Sequence, residues 1–177
     1  MSSKNYLSIY AKSFNWAGFF LPKKTYKNCS YLYDFCRVVD NIADDEDEIE
    51  IKKIKFQKFV SDFKQKNFED PVIQNMWNII HEFNISLEII YDLFDGIESD
   101  IKQNVKIDTR KDLLIYCYRV AGTVGLMMAK ILKVSKKQSL KSAIDLGIAM
   151  QLTNISRDVI EDSKKNRSYI NGNFEEI

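Results

Sequence analysis

Six glycines and two prolines are all that interrupt 177 residues, and between them the apolar positions recur every three or four residues rather than every second one. Helix breakers this sparse leave too few turns for a sheet protein. The chain therefore reads as all-α, a bundle of long helices with short connections. The periodicity predicts helices over about Pro22–Asp44, Ile49–Phe63, Pro71–His81 and Ser86–Asp100, one from Thr109 to about Val134, and a longest one over Ser135–Lys165. Pro22 suits a first helical turn, Ser86 an N-cap, and Thr109 with Asp112 a capping box. The length suits a single domain spanning residues 1–177.

Composition narrows the function classes. With 45% hydrophobic residues, 11 Phe and 9 Tyr, the chain is globular. The 26 basic and 25 acidic residues nearly cancel, so no global field argues for nucleic acid, and any phosphate chemistry must be local. The lysines of "IKKIKFQKFVSDFKQK" are interleaved with Ile54, Phe56, Phe59, Val60 and Phe63, which supply a packing surface. Three cysteines without ligand spacing read as free buried thiols. His81, the single histidine, sits in the apolar run "MWNIIHEF" and reads as packed structure. No secretory signal and no run of about 18 apolar residues is present, so no transmembrane segment is expected. That leaves a cytoplasmic location, with contact at a membrane surface still open.

Two segments carry chemistry. In the helix that carries "YDFCRVVDNIADD", Tyr26, Tyr33, Arg37, Asp40 and Asp44 fall within about 60° of one another, opposite Tyr31, Phe35, Val38 and Ile42. In "NISRDVIED" and the turns before it, Gly147, Gln151, Asn154, Asp158 and Asp162 lie within about 80°. Solvated faces with ion pairs one turn apart are the plain account. Short Asp, Asn and Gly are poor helix formers, however, and suit a ligand that must approach the backbone. Mg²⁺, or Mn²⁺ in its place, takes oxygen ligands and completes its shell with water and phosphate. Two facing Asp-x-x-x-Asp helices could hold a diphosphate through such ions, with Arg37 and Arg157 on the phosphate oxygens. The small-residue run Ala121, Gly122, Thr123, Gly125 in "YCYRVAGTVGLMM" has two readings. It allows either close helix packing or passage of a bulky apolar ligand through a break.

These segments, with "AKSFNWAGFFLP", "LFDGIESD" and "GIAMQLTNISRDVIEDSKKNRSYI", resemble the squalene and phytoene synthase family in the family's order, from about Ser8 to Tyr169. The resemblance implies an isoprenoid synthase-type helical bundle around a central cavity, and a Mg²⁺-dependent prenyltransferase. Such an enzyme joins two prenyl diphosphates head-to-head through a cyclopropylcarbinyl diphosphate and releases diphosphate. It implies metal binding by Asp40, Asp44, Asn154, Asp158 and Asp162, with Tyr33 and Arg37 beside the acids as catalytic groups. Substrate contacts are implied at Ser13, Phe14, Tyr33, Arg37, Tyr116, Ala121, Gly122, Gly125, Gly147, Gln151, Asn154 and Arg157. "YCYRVAGTVGLMM" looks most like phytoene synthases of carotenoid biosynthesis, which use two geranylgeranyl diphosphates without reductant. Squalene or dehydrosqualene synthesis from farnesyl diphosphate is the alternative, NADPH entering only for squalene.

Asn41 stands between the acids where relatives often have Asp, and Asn171 where they commonly have Pro. Gly172 followed by Phe174 looks like a turn into a new element, so the chain is expected to be the N-terminal part of a longer domain, incomplete at the C-terminus and poorly active alone. Competing expectations are a head-to-tail prenyltransferase or terpene cyclase, and a non-enzymatic helical interaction module. Oligomeric state is left open.

Overall fold

The computed structural model describes residues 16–102 and 104–170. The predicted Ser13 and Phe14 and the turn after Asn171 lie outside the described residues. Seven α-helices are present among them: α1 (Lys23–Asp44), α2 (Ile49–Lys64), α3 (Pro71–Phe83), α4 (Leu87–Asp100), α5 (Arg110–Cys117), α6 (Thr123–Ile131) and α7 (Lys137–Lys164). Two additional residue pairs, β1 (Val105–Lys106) and β2 (Arg167–Ser168), join in a parallel bridge that the periodicity does not reveal.

Local chemistry sets the ends. Asp70 accepts the Val72 N–H at 2.8 Å with Pro71 in the first helical position, and Ser86 accepts from Glu88. Thr109 Oγ1 accepts the Asp112 N–H at 3.1 Å and donates to its carboxylate at 2.6 Å, the expected cap. Pro22 sits just before α1, where its carbonyl accepts from Tyr26. The helix expected from Thr109 to Val134 ends earlier, at Ile131, and contains a π-helical turn at Tyr118–Gly122. There the Thr123 N–H bonds back to the Tyr118 carbonyl, and the Thr123 hydroxyl donates to the Arg119 carbonyl at 2.7 Å. One extra residue in that turn thus keeps its backbone groups paired.

The main core gathers around α1. Leu32, Phe35 and Val39 are fully buried against Phe56, Phe59 and Phe63 of α2, Ile73 and Met76 of α3, Ile90, Leu93 and Phe94 of α4, and Met127 and Ile131 of α6. Phe35 and Phe94 each touch Phe59 and Phe63, while Trp77 stacks on Phe63 at 5.2 Å and donates to its carbonyl at 3.0 Å. The buried line of α1 is rotated from the expected Tyr31, Phe35, Val38, Ile42 stripe: Phe35 is shared, but Tyr31, Val38 and Ile42 are half-buried. The reason is that α1 is contacted from several sides, by α2, α3, α4 and α6, which no single-stripe pattern encodes.

Three smaller expectations are corrected in the same way. Ile54 is exposed while Phe56, Phe59 and Phe63 alone fill the α2 contact, with Val60 half-buried. His81 is exposed, its ring lying 5.6 Å from Trp77 on the surface of α3. The continuous helical stretch Arg110–Ile131 is long and apolar enough to cross a membrane by length and composition. Here it packs between α4 and α7 with Cys117, Met127 and Ile131 buried, while Leu114 and Ile115 are exposed. The three thiols are unpaired, as expected, and burial pushes Cys29 and Cys117 up to about 11 and Cys36 up to about 12.

Candidate active site between the acidic helices

On α7 the polar stripe faces inward. Gly147 is buried and Gln151, Asn154, Asp158 and Asp162 are half-buried, beside buried Ile155, whereas Leu146, Met150, Val159 and Ile160 are exposed. A solvated face would show the reverse, because water solvates carboxylates and rejects alkyl groups. The first helix behaves similarly: Tyr33, Arg37, Asp40 and Asn41 are half-buried, and Asp44 at its end is exposed.

Within α1, Arg37 donates to Asp40 at 2.6 Å. Burial and the like charge of Asp44 raise the Asp40 pKa against the opposing pull of Arg37 and Arg167. Burial also raises Tyr33, whose phenol lies in the fields of Arg37 and Asp40. On α7, Arg157 closes on Asp158 with two bonds of 2.7 and 2.6 Å, which holds that carboxyl below its usual range. Burial raises Asp162, offset by Arg167.

Arg167 bonds the end of α1, and its charge reaches α7. It leaves β2 with only 12% of its side chain exposed, donates to Asp44 at 2.8 Å and to the Ala43 carbonyl at 3.1 Å, and reaches the Asp100 carbonyl at 3.5 Å. Its charge is felt by Asp40 on α1 and Asp162 on α7 alike. Beside it, Asp100 accepts from Tyr116 and Tyr169, both at 2.8 Å, and the two rings stack at 4.9 Å. Burial lifts Asp100 to about 6, with both phenols and Arg167 pulling the other way. Arg167, Asp100 and Tyr169 escaped the helical-face reading, because two of them lie in or beside a two-residue strand and Asp100 closes a helix. The only signal was "DSKKNRSYI", an Arg-x-Tyr directly after the acids.

The raised carboxyl of Asp100 has a testable sign. Its folded pKa lies above the ordinary carboxyl value of about 4, so its contribution to stability is fully present below about 4 and is lost as pH rises through about 6. Urea unfolding at pH 4.5 and pH 7 is expected to show this decline, and Asp100→Asn to flatten it. An unaltered pH dependence in the variant refutes the assignment.

The glycines of the third segment meet α7. A methyl group on Gly125 would overlap the Ala143 carbonyl, one on Gly147 the Ala121 carbonyl, and one on Gly122 would lie 3.2 Å from Ile144. The room at Gly125 and Gly147 is taken by neighbouring backbone, that at Gly122 by the Tyr118 and Ile144 side chains, and Ala121 lies in the π turn itself. Tyr116 is buried on Asp100. Three surface hollows of about 510, 820 and 590 Å³ lie away from the acids, one between α1 and α3 and two along α2 and α4.

Carboxylates and an amide are the donors that a hard, hydrated divalent cation takes, and the charge of Asp44 already disfavours that of Asp40. Among the described residues no three such groups are close enough to hold an ion unaided. The donor set fits an ion that keeps waters and completes its shell with phosphate. Asp40, Asp44, Asn154, Asp158 and Asp162 are the residues that would hold it.

The model of the squalene/phytoene synthase family matches residues 7–172. A phytoene synthase from Pseudescherichia vulneris is 33% identical over 172 residues, 90% of this chain and 55% of the relative. A 4,4'-diapophytoene synthase from Staphylococcus haemolyticus is 34% identical over 165 residues, 90% of this chain and 58% of the relative. The crystal structure of a dehydrosqualene synthase in complex with ligand superposes with a TM-score of 0.67 at 30% identity, covering 93% of this chain and 58% of that one. The chain thus spans under three-fifths of the length of these relatives. It is an all-helical isoprenoid synthase-type fold, and it belongs to the squalene/phytoene synthase family.

Proposed function

We propose that these 177 residues are the N-terminal part of a longer domain that condenses two prenyl diphosphates head-to-head, and that the substrates are two geranylgeranyl diphosphates joined to phytoene. The inward turn of the α7 acids carries this reading, since a protein has no reason to aim short carboxylates at its own body unless they receive charge there. Family membership supports the reaction class. The Asp40, Asp44, Asp158 and Asp162 carboxylates hold Mg²⁺, or Mn²⁺, and Asn154 contributes its amide oxygen. When bound, the metal supplies Lewis-acid stabilisation of the departing diphosphate. Arg37 and Arg157 exchange their present carboxylate partners for phosphate oxygens, which their planar donor forks match. Tyr33, a neutral phenol whose pKa burial raises further, offers its hydroxyl and its electron-rich ring to the allylic cation. The exposed Leu146, Met150, Val159 and Ile160 are the apolar side that the rest of the domain covers. The proposed location is the cytoplasm, with peripheral contact at a membrane surface.

Farnesyl diphosphate is the second reading, supported by the near-equal identity of the diapophytoene synthase. The test incubates the full-length protein with Mg²⁺ and labelled C15 or C20 diphosphate, with and without NADPH. A C40 hydrocarbon formed without reductant is the expected product. A C30 hydrocarbon shifts the reading to the shorter substrate, and a longer linear diphosphate or a cyclic terpene rejects head-to-head condensation.

A further inference from the structure

Helix α1 ends badly by itself. Its last turn carries no basic residue, while Asp44, Asp45 and Asp47 crowd the end where the helix dipole is already negative. Two lysines of α2 meet that end, Lys52 donating to the Ala43 carbonyl at 3.1 Å and Lys55 pairing with Asp45 and Asp47, but the cation on Asp44 comes from 123 residues away: Arg167 bonds Asp44 and also the Ala43 carbonyl. Its backbone is fixed by the parallel bridge, in which the Val105 N–H donates to the Asn166 carbonyl at 3.1 Å and the Ile107 N–H to the Ser168 carbonyl at 3.0 Å. With 12% of its side chain exposed, this guanidinium is screened little by solvent. It also lies close enough to Asp40 on one helix and Asp162 on the other to act on both.

We propose that Arg167 is the resident counter-cation of the acids at the ends of α1 and α7: it holds the Asp44 carboxylate in place and competes with the divalent cation for it, so that metal binds firmly only together with a diphosphate. This rests on the proposed function. A fixed positive charge about 5 Å from a divalent cation weakens its binding by about tenfold even at the dielectric of water. Arg167 is a positioning residue, acting through its bond to Asp44 and through its charge on Asp40 and Asp162.

Manganese binding to the full chain, read from the free Mn²⁺ electron paramagnetic resonance signal, tests the proposal without turnover. Arg167→Gln is expected to bind Mn²⁺ alone about tenfold more tightly than the parent chain, while Arg167→Lys, which keeps the charge, stays within about twofold. A purely structural arginine predicts equal or weaker binding in Arg167→Gln, and that result overturns the proposal. The same comparison is made between Asp44→Asn and Asp44→Asn/Arg167→Gln, where no orphaned carboxylate threatens the fold. Tightening is expected there too, through Asp40 and Asp162, and its absence in a folded pair is equally fatal. If the parent chain takes up no Mn²⁺ even with inorganic diphosphate present, the metal-diphosphate function itself fails. Metal uptake without any response to position 167 sinks only the counter-cation.

Discussion

Asp158→Asn in the full-length protein is expected to lower turnover by at least about a hundredfold, the scale seen when one preorganised charge-stabilising group is removed, while leaving the helical circular dichroism unchanged. Asp158 is half-buried on the inner side of α7 and gripped by Arg157 through two bonds. Asparagine preserves the volume and can still accept from Arg157, so the backbone has little cause to move. What disappears is one negative charge from the proposed seat of the metal-bound diphosphate. Asp40→Asn is expected to act similarly, since Asp40 is the inward acid of α1 and its pKa is already lifted by burial and by Asp44. The two changes together are expected to cost less than the product of the separate losses, because both act on one bound group. Steady-state kinetics at saturating Mg²⁺ decides the matter. Unaltered turnover in either variant removes that residue from the site.

The largest stability effect is expected at the helix crossing. Gly147→Ala puts a methyl group into the Ala121 carbonyl oxygen and within 2.8 Å of its carbon. Gly125→Ala drives one into the Ala143 carbonyl, whose carbon is 3.2 Å away. Backbone cannot swing aside as a side-chain tip can. The helices must separate, at a cost of about 3 kcal/mol, the upper part of the overpacking range. Alanine's better helix propensity, about 1 kcal/mol over glycine, offsets only part of this. Urea denaturation of the purified chain measures it, and a midpoint at or above that of the parent contradicts the packing. Because α7 carries Asn154, Asp158 and Asp162, a separated α7 is also expected to weaken diphosphate binding.

How much was legible beforehand varies residue by residue. The caps at Ser86 and Thr109 could be read because capping is local: a hydroxyl meets an N–H two or three residues on. Polar stripes were visible because helical periodicity is local too. The π turn at Tyr118–Gly122 was hinted at only by its small residues, since one inserted residue leaves no mark on a periodicity count. Between the two readings of Gly122 and Gly125, their neighbours favour packing, which depends on α7 arriving from elsewhere in the chain.

The Arg167, Asp100, Tyr116 and Tyr169 group was the least accessible. Its members are separated by up to 124 residues from their partners, and the bridge that aligns them is two residues long, too short for any alternation. Arg167 could be counted among basic residues but not told apart from Lys164 or Lys165.

Sequence alone determined that this chain is helical, where most helices start, and which residues share a helix face, because each of these depends on neighbours within about a turn. Only the tertiary structure decided which way those faces point. The acids of α7 turn inward and the alkyl groups outward because the glycines let α7 lie flat on the π turn and α6, and β2 anchors its end. That orientation is a property of packing between distant segments, and no periodicity contains it.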